Sequence, residues 1–100
     1  MTRVRFHESA LAELAHEVRY YSEISPRLGE QFAVAVERAV AIASSFPEMG
    51  APYMHGTRRA FTRRFSFSVI YLYRSAEVYI LAIAPDRRKP GYRHPRAAVA

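Results

Sequence analysis

Residues 65–84, with the sequence FSFSVIYLYRSAEVYILAIA, contain the strongest structural signal in this 100-residue chain. Over residues 65–73 the hydrophobic period is two residues, which predicts a β-strand with two distinct faces. Residues 74–77 predict a tight turn, and the apolar run at residues 78–84 predicts a central strand buried on both faces. One face of the first strand carries Phe65, Phe67, Val69, Tyr71 and Tyr73, and the other carries Ser66, Ser68, Ile70 and Leu72.

Two further segments complete the predicted sheet. Residues 58–62 precede this strand pair and predict a third antiparallel strand, so that the three form a meander. Residues 4–6, Val-Arg-Phe, predict a short N-terminal strand that lies at an edge or pairs with the meander.

Two helices are predicted between the N-terminal strand and the meander. The first covers about residues 9–23, with Ser9 as its N-cap, or His7 if the helix begins a turn earlier. Glu13 and Glu17 fall on the face predicted to be solvated. The apolar side chains recur at helical spacing: Leu11, Leu14, Ala15, Val18 and Tyr21.

Ser25-Pro26 predicts the start of the second helix, with the Ser25 side chain as cap and Pro26 at the first helical position. Residues 44–50, which include Pro47 and Gly50, predict its end. So short a link between helices predicts an antiparallel hairpin. The predicted fold class is α+β, with an N-terminal strand, the helical hairpin, and a three-stranded antiparallel meander in one sheet.

Composition narrows the class of protein. Half of the residues are hydrophobic, which suffices for a core in one domain over residues 1–100, with a basic tail from about residue 86. There is no cysteine, so disulfides and cysteine–zinc sites are excluded. No stretch approaches the roughly 20 apolar residues of a membrane span, and residues 1–6 have no apolar run of a secretory signal behind them. We expect a cytoplasmic protein without membrane contact.

Charge divides the chain where the hydrophobic period changes. Residues 56–100 carry ten Arg or Lys and two acids, a net charge of +8. Residues 1–55 carry five Arg and seven Glu, a net charge of −2. A concentrated positive field attracts phosphate or an acidic protein partner.

The order of elements, together with several short motifs from residue 4 to about residue 93, resembles the RelE/ParE superfamily of toxins. The similar segments are Phe6 with Ala10-x-x-Glu13-Leu14 and Tyr20-Tyr21, Leu28-Gly29-x-x-Phe32 with Val36, Pro47-Glu48-Met49-Gly50, Arg58-Arg59 with Arg63-Arg64-Phe65-Ser66-Phe67-x-Val69-Ile70-Tyr71, and Ile80-Leu81-Ala82-Ile83-Ala84 with Arg87-Arg88-x-Pro90-Gly91-Tyr92.

The resemblance implies a growth-arresting toxin of a type II toxin–antitoxin module, a class that includes plasmid stabilisation proteins. The implied partner is a cognate acidic antitoxin of the ParD or RelB kind, and no cofactor is implied. Some members of the superfamily cleave mRNA on the ribosome and others poison DNA gyrase. A third possibility is a degenerate, non-toxic nucleic-acid-binding module that has kept the fold.

The candidate site residues are mostly arginines, because a planar guanidinium binds phosphate oxygens with two hydrogen bonds and keeps its charge. A solvated sheet face that docks the antitoxin explains the same arginines. The predicted target- or nucleic-acid-binding residues are Arg58, Arg59, Arg63, Arg64, Arg87, Arg88 and Arg93. If the chain is an endoribonuclease that uses 2′-hydroxyl attack, the catalytic candidates are Arg64, Arg87, Arg88, Tyr92 and His94.

Two of these candidates have alternative interpretations. The resemblance places Tyr92 where cleaving relatives stack an aromatic ring on the substrate base, but a tail anchor packed on the sheet is equally compatible. His94 has the imidazole suited to proton transfer, although it precedes Pro95 in the tail. The other histidines show no metal-ligand spacing, so no metal is predicted.

Ser68 departs from the pattern of the cleaving relatives, which usually carry an arginine just before the Val-x-Tyr segment. Lys89 is the only lysine, so the central lysines of that group are also missing. Regular alternation from Ser68 puts Arg64 on its face, whereas a bulge would put Arg63 there. We therefore favour gyrase inhibition over ribosome-dependent mRNA cleavage.

Overall fold

The structure, a computed structural model, describes residues 2–86. Two helices, α1 (Glu8–Ile24) and α2 (Pro26–Ser45), follow the first strand, β1 (Arg3–Phe6). Four more strands follow the helices: β2 (Ala51–Pro52), β3 (Arg58–Phe61), β4 (Phe67–Arg74) and β5 (Glu77–Pro85). They form one sheet in the order β1-β5-β4-β3-β2, with β1 parallel to β5 and the other pairs antiparallel.

The predicted α+β arrangement is confirmed, including the hairpin and the three-stranded meander. The N-terminal strand pairs with the last strand, so that Val4 lies beside Val78 and Phe6 beside Ile80. Strand β2 was not predicted, because it is two residues long and one of them is Pro52, which cannot donate to a ladder.

The helix ends differ from the prediction in their capping contacts. Helix α1 begins at Glu8, and its N-cap is His7, whose Nδ1 accepts from the backbone N–H of Ser9 at 3.0 Å. The expectation of Ser9 as cap is therefore wrong, and the earlier start is correct. Ser25 does cap α2 and Pro26 follows it, but the Ser25 side chain makes no capping hydrogen bond.

Both helices pack on one side of the sheet, which we call the helix face. Its buried strand residues are Phe67, Val69, Tyr71, Val78, Ile80 and Ile83, in one core cluster with Ala10, Phe32, Val36, Ala39 and Ala43 of the helices.

Four aromatic rings concentrate the packing at one end of this core. Phe32 has its ring centroid 5.0 Å from that of Tyr21 and 5.1 Å from those of Phe65 and Phe67. Such pairs add about 0.5–1.5 kcal/mol each beyond area burial. Tyr71 of the alternating segment and Ile80 of the following apolar run are both fully buried in this core.

The opposite side of the sheet, which we call the open face, has a different composition. Its buried cluster contains Ile70, Ala82 and Ala84, with Tyr53 packed against them, and no residue from either helix. Ser68, which pairs with Ala84, is also buried there.

Strand β5 contains a bulge at Leu81. Ile70 pairs with Ala82 and Tyr71 pairs with Ile80, so Leu81 has no opposite residue on β4. The extra residue explains why Ile80 and Ile83, three positions apart, both belong to the helix-face cluster.

Glu13 occupies a position that the sequence did not predict. Its Oε1 accepts from the backbone N–H of Ile83 at 3.1 Å, so the expectation of a solvated side chain is wrong. The physical reason is the length of β1, whose register with β5 ends at Ile80. Beyond Ile80 this side of β5 has no paired strand within residues 2–86, and a carboxylate from α1 takes the free N–H.

The β4–β5 hairpin has a two-residue turn without glycine. Ser75 has φ 53° and Ala76 has φ 61°, both in the left-handed region. Tight hairpin turns require these angles because they match the twist of the strands. At Ala76 they are strained, because a Cβ disfavours this region.

Candidate functional site

The open face carries the polar side chains that are available for recognition. From the registers, Arg59 and Phe61 of β3 lie on the side of Ile70 and Ser68 of β4. At the other end of the sheet, Arg5 of β1 lies beside Tyr79 of β5. Arg59 and Arg5 therefore lie on opposite sides of the apolar cluster of Ile70, Ala82 and Ala84.

Arg59 forms the first of these ends. Its guanidinium carbon lies 4.5 Å from the ring centroid of Tyr53 and 4.8 Å from that of Phe61. Both distances are within the range of cation–π attraction. Its Nε is buried and has no hydrogen-bond partner among residues 2–86. Arg59 is thus a cation held between two aromatic rings, with one buried donor that has no partner in the described part of the chain. Its predicted role in binding a target or nucleic acid stays a prediction.

Ser68 lies on the open face near the start of β4 and contacts a carboxylate. Its Oγ donates to Oδ1 of Asp86, which also donates its backbone N–H to the carbonyl of Ser66 at 2.9 Å. The last described residue is therefore held against β4, and the basic tail begins at this point. Where cleaving relatives are expected to have a cation, this chain has a hydroxyl paired with an acid.

At the opposite edge of the open face, Tyr79 is surrounded by charged side chains. The sequence did not predict this group as part of a site. The guanidinium carbons of Arg5 and Arg74 lie 5.9 and 5.8 Å from its ring centroid. Its hydroxyl donates to Oε1 of Glu77 at 2.7 Å, and this bond is the main reason that the pKa of Tyr79 is raised. Arg3 pairs with the same carboxylate at 3.4 Å. To predict this group from the sequence, the face of Tyr79 would have to be assigned along β5, and the bulge at Leu81 interrupts the alternation of that strand.

Arg58 points away from the open face and holds a loop. It pairs with Tyr71, and its Nη1 donates to the carbonyl oxygens of Glu48 at 3.0 Å and Gly50 at 2.8 Å. The Tyr71 hydroxyl donates to the carbonyl of Pro47 at 2.8 Å in the same loop. A Cβ at Gly50 would overlap that hydroxyl, which explains the glycine. These contacts give Arg58 a structural task, and its predicted role in target binding stays a prediction.

Arg63 and Arg64 lie in the connection between β3 and β4. Strand β4 begins at Phe67, and Arg64 has φ 73°, so alternation from Ser68 does not extend to either arginine. The expectation that Arg64 shares the face of Ser68 is therefore wrong. Both arginines instead line a groove beside α2, on the side of the helices, which we call the α2 groove.

The four arginines of residues 58–64 therefore lie in three different places. Arg58 contacts the loop after α2, Arg59 lies on the open face, and Arg63 and Arg64 line the α2 groove. The remaining candidates, Arg87, Arg88, Tyr92, Arg93 and His94, lie outside the described residues. Their predicted roles stay predictions.

Within residues 2–86, no group of three or more His, Asp or Glu side chains is placed to hold a metal ion. In the same part of the chain, neither helix is long and apolar enough to cross a membrane.

Comparison with known proteins decides the family. The family model described as ParE toxin of type II toxin–antitoxin system, parDE, matches residues 4–90. The chain belongs to the ParE toxin family. As a ParE-family protein it is the toxin of a type II toxin–antitoxin system. The superfamily predicted from the sequence is thus confirmed.

Solved structures support the same fold for this ParE-family chain. The chromosomal ParDE system from P. aeruginosa is similar at a TM-score of 0.74 and 21% identity, over 85% of this chain and 96% of that one. The toxin–antitoxin complex RelBE from E. coli is similar at 0.64 and 14% identity, over 88% and 100% of the two chains. The isolated E. coli RelE toxin matches at 0.63 and 14% identity over the full length of both. No curated protein sequence matches significantly.

Proposed function

We propose that this ParE-family toxin arrests growth by inhibiting DNA gyrase, and that a cognate acidic antitoxin keeps it inactive. The observation that carries the choice of target is the contact between Ser68 and Asp86 on the open face. The match to a ParE family model supports the same choice.

The contact argues against RNA cleavage for electrostatic reasons. A phosphate in the transition state of 2′-hydroxyl attack carries extra negative charge, and cleaving enzymes stabilise it with cations. Here the carboxylate of Asp86 lies beside Ser68 on the open face. Losing one preorganised donor typically costs about 10²–10³ in rate, and a nearby carboxylate adds repulsion.

A replacement cation is not supplied by the β3–β4 connection. Arg63 and Arg64 line the α2 groove instead. Gyrase inhibition needs no phosphate clamp on this strand, since binding to a protein target suffices.

Ribosome-dependent mRNA cleavage remains the second candidate, and one observation favours it. Arg59 pairs with Ile70, so it is a diagonal neighbour of Ser68, and its Nε has no partner among residues 2–86. An endoribonuclease would combine Arg59 with Arg87, Arg88, Tyr92 and His94 from the tail.

Two assays on purified toxin separate these functions. We expect loss of gyrase-dependent DNA supercoiling and no cutting of mRNA in the A site of translating ribosomes. Ribosome-dependent cuts with unchanged supercoiling would reverse the assignment and make Arg59 with the tail residues the active-site set.

Variants locate the effector surface. Arg87→Ala with Arg88→Ala should leave the melting temperature nearly unchanged and abolish toxicity, because the sequence predicts a Pro- and Gly-punctuated tail there and interaction residues concentrate on such segments. The control, Arg19→Ala, removes a positive charge from an exposed position of α1 and should remain toxic. If the tail variant arrests growth as fast as the parent, the tail is not the effector surface.

Electrostatic steering toward the antitoxin has its own test. Residues 56–100 carry a net charge of +8, from ten basic and two acidic residues. The association rate should fall as salt rises, because the screening length is about 8–10 Å at physiological ionic strength. An association rate that does not change with salt contradicts this part of the proposal.

A further inference from the structure

The arginines around Tyr79 form a basic surface that the proposed function does not use. Arg3 and Arg5 come from β1, and Arg74 is the last residue of β4. In the sheet register, Arg3 and Arg74 flank Glu77 of β5. Arg5 lies beside Tyr79 of the same strand. We call these five side chains the hairpin patch, because they lie on the open face next to the β4–β5 turn.

The acid of the hairpin patch is covered by its neighbours. The Glu77 side chain is 18% exposed, against 76% for Arg3 and 58% for Arg5. Its Oε2 lies 3.4 Å from Nε of Arg3, and its Oε1 accepts from the Tyr79 hydroxyl at 2.7 Å. A partner that approaches the sheet here therefore meets guanidinium groups rather than the carboxylate. Three arginines and one glutamate leave the patch with a net charge of 3 − 1 = +2.

Tyr79 holds two of these arginines in place. The guanidinium carbons of Arg5 and Arg74 lie 5.9 and 5.8 Å from its ring centroid, within the range of cation–π attraction. They come from β1 and β4, the two strands that pair with β5. Cations positioned in this way lose less side-chain entropy when they bind a ligand.

The chemistry of the patch fits the phosphates of a nucleic acid duplex. A guanidinium binds phosphate oxygens with two parallel hydrogen bonds and keeps its charge. Proteins that bind single strands stack bases on aromatic rings, but the Tyr79 ring is already flanked by cations. Protein–protein interfaces have an apolar core, and the neighbouring Leu72 is only partly exposed. Contact with a duplex backbone needs neither a stacking ring nor an apolar anchor.

The hairpin patch lies away from the contact between Ser68 and Asp86. Tyr79 pairs with Leu72, whereas Ser68 pairs with Ala84. Five positions along β5 therefore separate the two places, or roughly 15 Å at about 3.3 Å per residue. The basic tail begins after Asp86, at the end of the sheet away from the patch. Substitutions in the patch can thus be measured without altering either of these regions.

We propose that the hairpin patch binds the phosphate backbone of duplex DNA without reading its sequence. Arg3, Arg5 and Arg74 would contact phosphates, and each contact would release a counterion into solution. Such binding would concentrate the toxin on DNA independently of any protein target. The inference goes beyond the proposed function and does not rest on gyrase as the target, because the arginines act on DNA alone.

The probe is a labelled 20-base-pair duplex of arbitrary sequence, titrated with the full-length toxin by fluorescence anisotropy at several salt concentrations. The logarithm of the association constant falls linearly with the logarithm of the salt concentration, by about 0.9 per phosphate contact. Arg5→Ala with Arg74→Ala should therefore make the slope shallower by about 2 and weaken binding at low salt by about tenfold.

The matched control removes two exposed arginines of the helices. Arg19→Ala with Arg38→Ala changes the net charge by the same amount and should leave the slope unchanged. The basic residues after Asp86 are the same in both double variants, so their contribution to DNA binding cancels in the comparison. Circular dichroism melts establish that each variant folds.

A variant that gains affinity keeps the test independent of any loss of folding. Glu77→Gln removes the acid of the patch and keeps an acceptor for the Tyr79 hydroxyl. It should tighten DNA binding by about threefold at low salt, because one negative charge near the phosphates is lost. Glu23→Gln removes an exposed acid from α1 and should not tighten it.

Four results would overturn the proposal. They are equal slopes for the two double variants, equal effects of Glu77→Gln and Glu23→Gln, tighter binding of a single strand than of the duplex, or a polyglutamate peptide that depends on Arg5 and Arg74 more than DNA does. The last result would assign the patch to an acidic protein.

The supercoiling assay keeps the two proposals separate. If Arg5→Ala with Arg74→Ala loses DNA affinity but still inhibits gyrase, both proposals stand. A toxin that binds DNA through the hairpin patch and leaves supercoiling unchanged rejects gyrase as the target and supports the patch.

Discussion

The two faces of the sheet are built from the same strands and have opposite properties. On the helix face, large side chains such as Tyr71 and Ile80 are fully buried against α1 and α2. On the open face the buried residues are mostly small, such as Ala82 and Ser68, and arginines flank them. Successive residues of a strand point to opposite faces, so one set of alternating residues stabilises the fold and the other set is available for recognition. A substitution should therefore affect one property and spare the other.

The largest effect is expected from the centre of the helix face. Ile80→Ala leaves a cavity in the core and should lower the free energy of unfolding by about 2–5 kcal/mol, measured by urea denaturation. The comparison variant Leu72→Ala lies on the open face and is partly exposed, so it should cost less. Equal losses at the two positions would contradict the division between the faces.

The hydrogen bond between Glu13 and the backbone N–H of Ile83 tests whether the stability of the helix face also depends on a polar contact. Glu13→Ala leaves the N–H of Ile83 without its carboxylate acceptor and should cost about 1.5–3 kcal/mol. Glu23→Ala removes an exposed acid from the same helix and should change stability by less than about 0.5 kcal/mol. Urea denaturation at neutral pH measures both. If both variants are equally stable, water replaces the Glu13 contact without loss.

Local patterns in the sequence predicted the faces but not the long-range contacts. Alternation from Phe67 to Tyr71 correctly separated the residues of the helix face from those of the open face, because packing against the helices follows strand parity. The bulge at Leu81 depends on cross-strand register, which no local pattern contains. Glu13 lies on the polar side of α1 by helical spacing, and its role depends on where β1 ends.

The candidate site was predicted less completely for the same reason. Arg59 was identified by its charge, whereas the partner of Ser68 is 18 residues away along the chain. The error at Arg64 came from extending strand alternation into a connection with a left-handed residue.

The pH dependence of stability above pH 9 tests the burial of Tyr71 on the helix face. Burial raises the pKa of Tyr71 above its ordinary value of 10.0. Above pH 10 the unfolded chain loses this proton while the folded chain keeps it, so the free energy of unfolding should fall as pH rises. Unfolding measured between pH 9 and 11 should show this fall. Tyr71→Phe should make the fall shallower.

The smallest effect is expected at the end of the β4–β5 hairpin, which belongs to neither face. Ala76→Gly relieves a left-handed residue and should raise the free energy of unfolding by up to about 1 kcal/mol. Ala41→Gly, at an exposed position inside α2, should lower it by about as much. Thermal melts record both shifts, and toxicity should not change for Ala76→Gly. A destabilised Ala76→Gly would show that the turn is not strained.

The parallel pairing of β1 with β5 sets an order of events during synthesis. Arg3 of β1 pairs with Glu77 of β5, so roughly seventy residues separate the two strands along the chain. A ribosome adding about 5–20 residues per second leaves β1 without its partner for roughly 4–15 s. During that interval the contacts available to the chain are local ones, such as those within the helical hairpin. A nascent or truncated chain that ends before β5 has no assembled open face.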